Sequence, residues 1–352
     1  MPPRRRDSSA GLLAFGALGV LALTLTGVVL AAGLAGGESA VAPAGPANGP
    51  KATGGTASAV PVSTDPAEVS PPPLRPPARL RFGEGGRSGG VSVRPVAAER
   101  SLLVDLRYMR RSETRARLQR NPLYATGVMR PTSCRAPRPS ARAAHMNAFL
   151  HAVTDCLDRA WATKFDQARA VFLTPRRVYY SRGGRGPCGT YPAETAAAYY
   201  CPSNRGMYIG LTHVIGASGQ VNPAANHVVY LALLAHEYGH HVQSMAGIGG
   251  AWWWEVSDKS RAARDAHSRR NELQAQCLAG VFTRSVRGSL AVTSGLWRQT
   301  VQGDYRRGDD QNGYGLRDHG SGANYAAWLH HGYRYGRIAY CNTWVAAASD
   351  VS

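Results

Sequence analysis

Leu233 to Gly247 read LLAHEYGHHVQSMAG, with His236 and His240 four apart and Glu237 between them. On an α-helix that spacing leaves the two imidazoles about 40° apart in angle, so both point to one place. Zinc asks for such convergence, with nitrogens at about 2.0–2.1 Å and one coordination position left to water. Glu237 falls on the adjoining side, near enough to take a proton from that water without being a ligand. The flanking residues are apolar, and two imidazoles and a carboxylate buried among them need partners, because unpaired buried polar groups cost several kcal/mol. One divalent cation satisfies all three. The competing reading is a pair of hydrogen-bonded core histidines.

Working outward, Asn222-Pro223 marks a helix start, a capping side chain followed by proline at the first helical position. The helix predicted from there ends at Gly247, Gly249 and Gly250. A second long helix is predicted over Asp258–Val286, closed by Gly288, with a charged, exposed first half and Leu273, Cys277, Val281 and Phe282 buried. The third ligand is sought on it. A metzincin places Gly and His three and six residues beyond the second histidine; Gln243 and Ala246 stand there, which excludes that class. His241 is turned about 100° from His240 and belongs to packing or support. Glu272, with 31 residues intervening after His240, is the best placed, since its helix can pack on the first. His267, in a charged run, and Glu255, just after an expected loop, fit less well.

Upstream, Ala144–Phe165 repeats apolar residues at helical spacing, with His151 on its polar side. Arg176–Ser181 and Gly206–Val214 read as strands. Met207–Leu211, just before the histidine helix, is a candidate to pair with an extended peptide. Trp252–Trp254 reads as aromatic packing under a loop, and Gly308–Gly315 as a turn, since it lacks the acidic spacing of a calcium loop.

The chain has 352 residues and a net charge of +19, from 41 basic and 22 acidic side chains. Only Lys51, Lys164 and Lys259 are lysines. Arg75–Arg142 contains 16 Arg against Glu84, Glu99, Asp105 and Glu113, and so holds +12 of that charge. It reads as a solvated run or as a contact for anionic lipid or wall polymer. Arg4, Arg5 and Arg6 precede an uncharged stretch from Ser8 to Gly37, long enough to span a bilayer. The positive-inside rule then places the rest of the chain outside, which excludes nucleic acid as a partner. The reading is an uncleaved signal-anchor; secretion after cleavage near Ala40-Val41-Ala42 is the alternative, obstructed by Pro43. From Glu38 to about Pro95 the Pro-, Gly- and Ala-rich sequence cannot bury enough apolar surface to fold. Three segments result: 1–37 basic end and anchor, 38–100 linker, 101–348 globular domain. Outside the cytoplasm, the six cysteines Cys134, Cys156, Cys188, Cys201, Cys277 and Cys341 are expected to form disulfides, with no Cys-x-x-Cys pair among them.

HEYGHHVQ followed by NELQAQCLAG resembles the bacterial neutral zinc metallopeptidases, a gluzincin-like family. NPLYATG (Asn121–Gly127), CLDRAW (Cys156–Trp161), YYCPSNRGMYIGL, HGSG and YCNTW (Tyr340–Trp344) are similar to that family in the same order. The resemblance implies a zincin-like α+β fold, mainly helical with a small sheet and stapled by disulfides. It also implies Zn2+ held by His236, His240 and Glu272, with Glu237 as base. It further implies the pairs Cys188–Cys201, Cys277–Cys341 and Cys134–Cys156. Where the family carries Asp in ELQAD, this chain has Gln276. That position backs a ligand histidine, so the uncharged amide predicts weaker metal retention, by about 10–100-fold. His319 matches the family's HGS and is a candidate donor to the oxyanion of the tetrahedral intermediate; the other reading is a solvated loop histidine. The expected function is zinc-dependent hydrolysis of peptides or proteins outside the membrane. The alternative is a catalytically inactive cell-surface binding protein of the same fold.

Overall fold

Helices dominate, with a three-stranded and a two-stranded sheet among the described residues. The structure, a computed structural model, describes residues 111–192, 198–216, 222–311 and 317–352. The anchor expected over 1–37 and the linker expected over 38–100 lie outside those residues, as does part of the turn expected at Gly308–Gly315. In chain order, α1 (Arg111–Gln119) and α2 (Ala143–Gln167) precede β1 (Arg176–Tyr180), β2 (Gly184–Gly186), β3 (Gly189–Tyr191), β4 (Ala198–Cys201) and β5 (Gly206–Gly210). Then follow α3 (Leu211–Gly216), α4 (His227–Met245), α5 (Ile248–Val256), α6 (Arg261–Val286), α7 (Ser294–Tyr305) and α8 (Gly322–Tyr335).

The apolar stripe of α2, from Met146 through Phe149, Val153, Leu157 and Trp161 to Phe165, is wholly buried. Asn222 caps as its sequence context predicts, accepting from the Ala224 N–H at 3.0 Å. A single 3-10 turn, Pro223–Asn226, then leads into α4. Gly247, at φ 72°, provides the left-handed turn that ends this helix. Gly249 and Gly250 do not extend the stop. They lie in the first turn of α5, whose buried face is Ile248, Ala251 and Val256, so the three tryptophans are helical, and Trp252 packs against the core.

The main sheet has the order β1-β5-β4, with β1 parallel and β4 antiparallel to β5. This corrects the role expected for Met207–Leu211: β5 is paired along both edges and cannot take up a substrate strand. The strand also stops at Gly210, and Leu211 and Val214, three apart, become the buried face of α3. Within this sheet, among the described residues, the outer edges of β1 and β4 have no strand partner.

The helices that frame the site touch through glycine. A Cβ on Gly239 of α4 would stand 2.9 Å from the Ala275 carbonyl oxygen and 3.0 Å from its Cα on α6. Likewise Gly280 of α6 faces the Leu329 carbonyl of α8, and Gly332 of α8 faces the Cys277 carbonyl, both too close for any side chain. Three disulfides, Cys134–Cys156, Cys188–Cys201 and Cys277–Cys341, close the same structure. They match the pairs that the resemblance implied.

Candidate metal centre

The close approach at Gly239 brings two successive turns of α4 opposite one turn of α6. His236 Nε2 and His240 Nε2 face each other at 3.1 Å. Glu272 Oε2 lies 3.2 Å from the first and 3.3 Å from the second. Ligands 2.0–2.1 Å from a tetrahedral ion stand about 3.3 Å apart, so this triangle has the dimensions of three corners of a zinc site. Glu272 is fully buried, yet neither of its carboxylate oxygens has a hydrogen bond. Two imidazole lone pairs aimed at each other, beside an unbonded buried carboxylate, are stable only with positive charge between them. The residues fit a divalent cation. His240 is the most exposed of the three, its side chain 12% accessible.

Both histidines are held from behind by a glutamine. Gln243 donates through Nε2 to the Asn271 carbonyl at 2.7 Å and to Gln274 Oε1 at 3.1 Å, so its own oxygen faces His240 Nδ1 at 2.9 Å. Gln274 is fixed in turn by donating to Tyr124 Oη at 2.8 Å and to the Cys341 carbonyl at 3.0 Å. Thus NPLY, NELQAQ and YCN, far apart in sequence, meet behind His240. On the other histidine, Gln276 Oε1 accepts from His236 Nδ1 at 2.6 Å. The departure at residue 276 therefore keeps its hydrogen bond, as its amide oxygen allows, and a buried carboxylate, Asp304, stands behind the amide.

Electrostatics agree with the geometry. Burial alone would raise Glu272, but the neighbouring His240 holds its carboxyl well below the ordinary range. Burial lowers His240, yet the Glu272 and Glu237 carboxylates more than offset this and lift it to about 9. Burial pushes Glu237 up to about 8, against the pull of His240 and His319 and a backbone hydrogen bond from Tyr200 on β4. Glu237 therefore sits beside His236, His240 and Glu272 with a raised affinity for protons.

His319 enters from the loop before α8. Asp309 Oδ2 accepts the backbone N–H groups of His319 at 3.0 Å and Gly320 at 2.8 Å, and Gly320 turns the chain at φ 90°. Asp318 Oδ1 bonds His319 Nδ1 at 2.8 Å. Burial opposes protonation of this ring, but Asp318, Glu272 and Asp309 outweigh it and raise His319 to about 9. Its Nε2 lies 3.9 Å from Glu272 Oε2, at the margin of the triangle. It is a buried histidine and not a solvated one, 7% accessible.

The other candidates fall away from the cluster. His241 donates from Nε2 to the Leu173 carbonyl at 2.7 Å and packs on Phe172 and Tyr200, and burial drives its pKa down to about 4. His267 stacks over Trp344, and Glu255 pairs with Lys259. His151, expected on a polar face, is half-buried against Tyr179. Sequence reasoning did not find Gln243 as a support, nor Asp304, Asp309, Asp318 or Tyr325. Tyr325 follows the HGSG motif, and its ring packs near both His236 and His319. Only Gln243, one turn past His240, had a local signal.

The comparisons agree with this centre. The family described as "Putative neutral zinc metallopeptidase" matches residues 121–344. "Uncharacterized protein YpfJ" of Escherichia coli K12 is 28% identical over 209 residues, covering 55% of this chain and 70% of that protein. "Uncharacterized protein Rv2575" of Mycobacterium tuberculosis is 26% identical over 198 residues, covering 49% of this chain and 62% of that protein. No solved structure matches the chain. With a family match across most of its length and a zinc-sized cluster at its centre, the chain belongs to the neutral zinc metallopeptidase family.

Proposed function

We propose that the protein is a zinc endopeptidase, with His236, His240 and Glu272 as ligands and Glu237 as general base. The observation that carries this reading is the 3.1–3.3 Å triangle of His236, His240 and the unbonded buried carboxylate of Glu272, with Glu237 beside it. When bound, zinc supplies Lewis acidity that polarises the scissile carbonyl and brings a water's pKa toward about 7. The Glu237 carboxylate takes a proton from the attacking water as its oxygen bonds to the carbonyl carbon. The same carboxyl then passes that proton to the amide nitrogen as the C–N bond breaks. The protonated His319, held by Asp318, donates from Nε2 to the developing oxyanion. The unpaired edge of β4 takes the substrate backbone in extended form, next to the Tyr200 N–H that reaches Glu237.

Glu237→Gln keeps the shape of the site but cannot accept the proton. The variant is expected to bind one zinc per chain and to show no turnover of a generic peptide substrate, measured with and without chelator. Full activity of the variant defeats the mechanism. A wild type that binds zinc without turnover under all substrates supports instead an inactive surface-binding protein.

Export and anchoring are proposed on the sequence: Arg4–Arg6 followed by the uncharged run 8–37 reads as a single membrane pass with the catalytic domain outside. The pairing of all the described cysteines supports an oxidising location. The arginines of 75–142 are proposed to rest against anionic lipid or wall polymer.

A further inference from the structure

Both ligand histidines lean on a glutamine, but only one of those glutamines leans on a carboxylate. Gln276 Nε2 donates a short hydrogen bond to Asp304 Oδ2 on α7. Arg307 Nη1 holds the other oxygen, Oδ1, at 2.8 Å. Asp304 is 1% accessible, so this contact is a deliberate use of a costly buried charge. We infer that Asp304 is a positioning residue for the metal, which acts on His236 through Gln276 and takes over the part that a carboxylate at position 276 would play.

The coupling runs through the Gln276 amide. A carboxylate only accepts, so Asp304 forces Gln276 to present its NH2 outward and its oxygen to His236. That oxygen, at 2.6 Å, also only accepts, so His236 must carry its proton on Nδ1. Nε2 is then left with a lone pair toward Glu272 and His240, the tautomer a metal requires. Without a fixed partner, the amide is free to turn and offer NH2 to Nδ1, which stabilises the wrong tautomer. The negative charge two bonds away also polarises the chain of hydrogen bonds and makes the imidazole a better donor of electrons. On the other ligand the same orientation is enforced by the Asn271 carbonyl and Gln274 alone, with no charge behind. His236 is thus the more firmly fixed of the pair.

This inference rests on the zinc reading above, and its test separates the two. Zinc affinity of the full chain is measured by chelator competition, with thermal melts of the metal-free protein as a fold control. Asp304→Asn is expected to weaken zinc binding by about 10–100-fold. The double variant Gln276→Glu with Asp304→Asn exchanges amide and carboxylate without changing shape, and is expected to restore affinity to within a few-fold of wild type. In metal-free wild type, imidazole nitrogen NMR is expected to show His236 protonated at Nδ1. Unchanged affinity in Asp304→Asn, a double variant no better than the single one, or His236 protonated at Nε2 each overturns the relay while leaving the zinc site standing. No zinc binding by wild type overturns both.

Discussion

His319 shows how one side chain's role depends on its neighbours. A loop histidine in solvent is half neutral near pH 6.5, but here Asp318 and Asp309 hold it charged beside the ligand cluster. Replacement by Gln removes the charged donor while the three ligands stay in place. His319→Gln is expected to lower kcat by about 10²–10³-fold, with zinc affinity within a few-fold of wild type and KM little changed. Parallel loss of zinc would reassign His319 to the metal. The residue scale is also where the sequence was most and least informative. His236, Glu237 and His240 were legible because a helix turns a four-residue spacing into a shared direction. Asp304 was not: it follows Gln276 by 28 positions and reaches it only because α7 folds back. Asp309 and Asp318 sit in a loop with no period to reveal which way they face.

At the scale of elements, the site exists because α4 and α6 approach more closely than ordinary helices do. Gly239→Ala raises the intrinsic helix propensity of α4 by roughly 0.5–1 kcal/mol. The added methyl, however, meets backbone atoms of Ala275 at 2.9–3.0 Å, which cannot give as a flexible side chain does. Overpacking of this kind costs about 1–3 kcal/mol, so the net effect expected is a lower melting temperature and weaker zinc binding together. A more stable variant with intact affinity would show that the helices can part without disturbing Glu272. The long helices were readable from their apolar period, and Glu272 was found because its helix was. The sheet was not. Strands of three to five residues carry too little pattern to show pairing order, and β5 reads the same in sequence whether its edges are free or paired. The tryptophans of α5 misled because three glycines near Gly247 resemble a loop, although only one of them makes the turn.

At the scale of the molecule, stability should depend on acidity through a buried histidine outside the His236–His240–Glu272 cluster. His331 on α8 is buried between Trp328 and Tyr335, its Nε2 has no partner, and burial pulls its pKa down to about 4. In the unfolded chain the ring takes a proton near pH 6.5, whereas the folded protein refuses it until about 4. Between these values the unfolded state binds more protons, so stability falls as pH drops from 6.5 toward 4 and is unaffected above 6.5; the full effect is on the order of 3 kcal/mol. Urea unfolding at pH 7, 5 and 4 is expected to show a smaller acid loss in His331→Phe than in wild type. Parallel loss in the two proteins would contradict this.

Cys277 directly follows Gln276 in α6, and its bond to Cys341 spans a separation of 64 residues. A closure of that length restricts the denatured chain by about 4 kcal/mol in the loop-entropy account. The helix that presents Glu272 is therefore finished by oxidation as well as by packing. Protein harvested from a reducing host would present its carboxylate on an untied helix, so the thiol history of a preparation, as much as its buffer, should govern how firmly it keeps its ion.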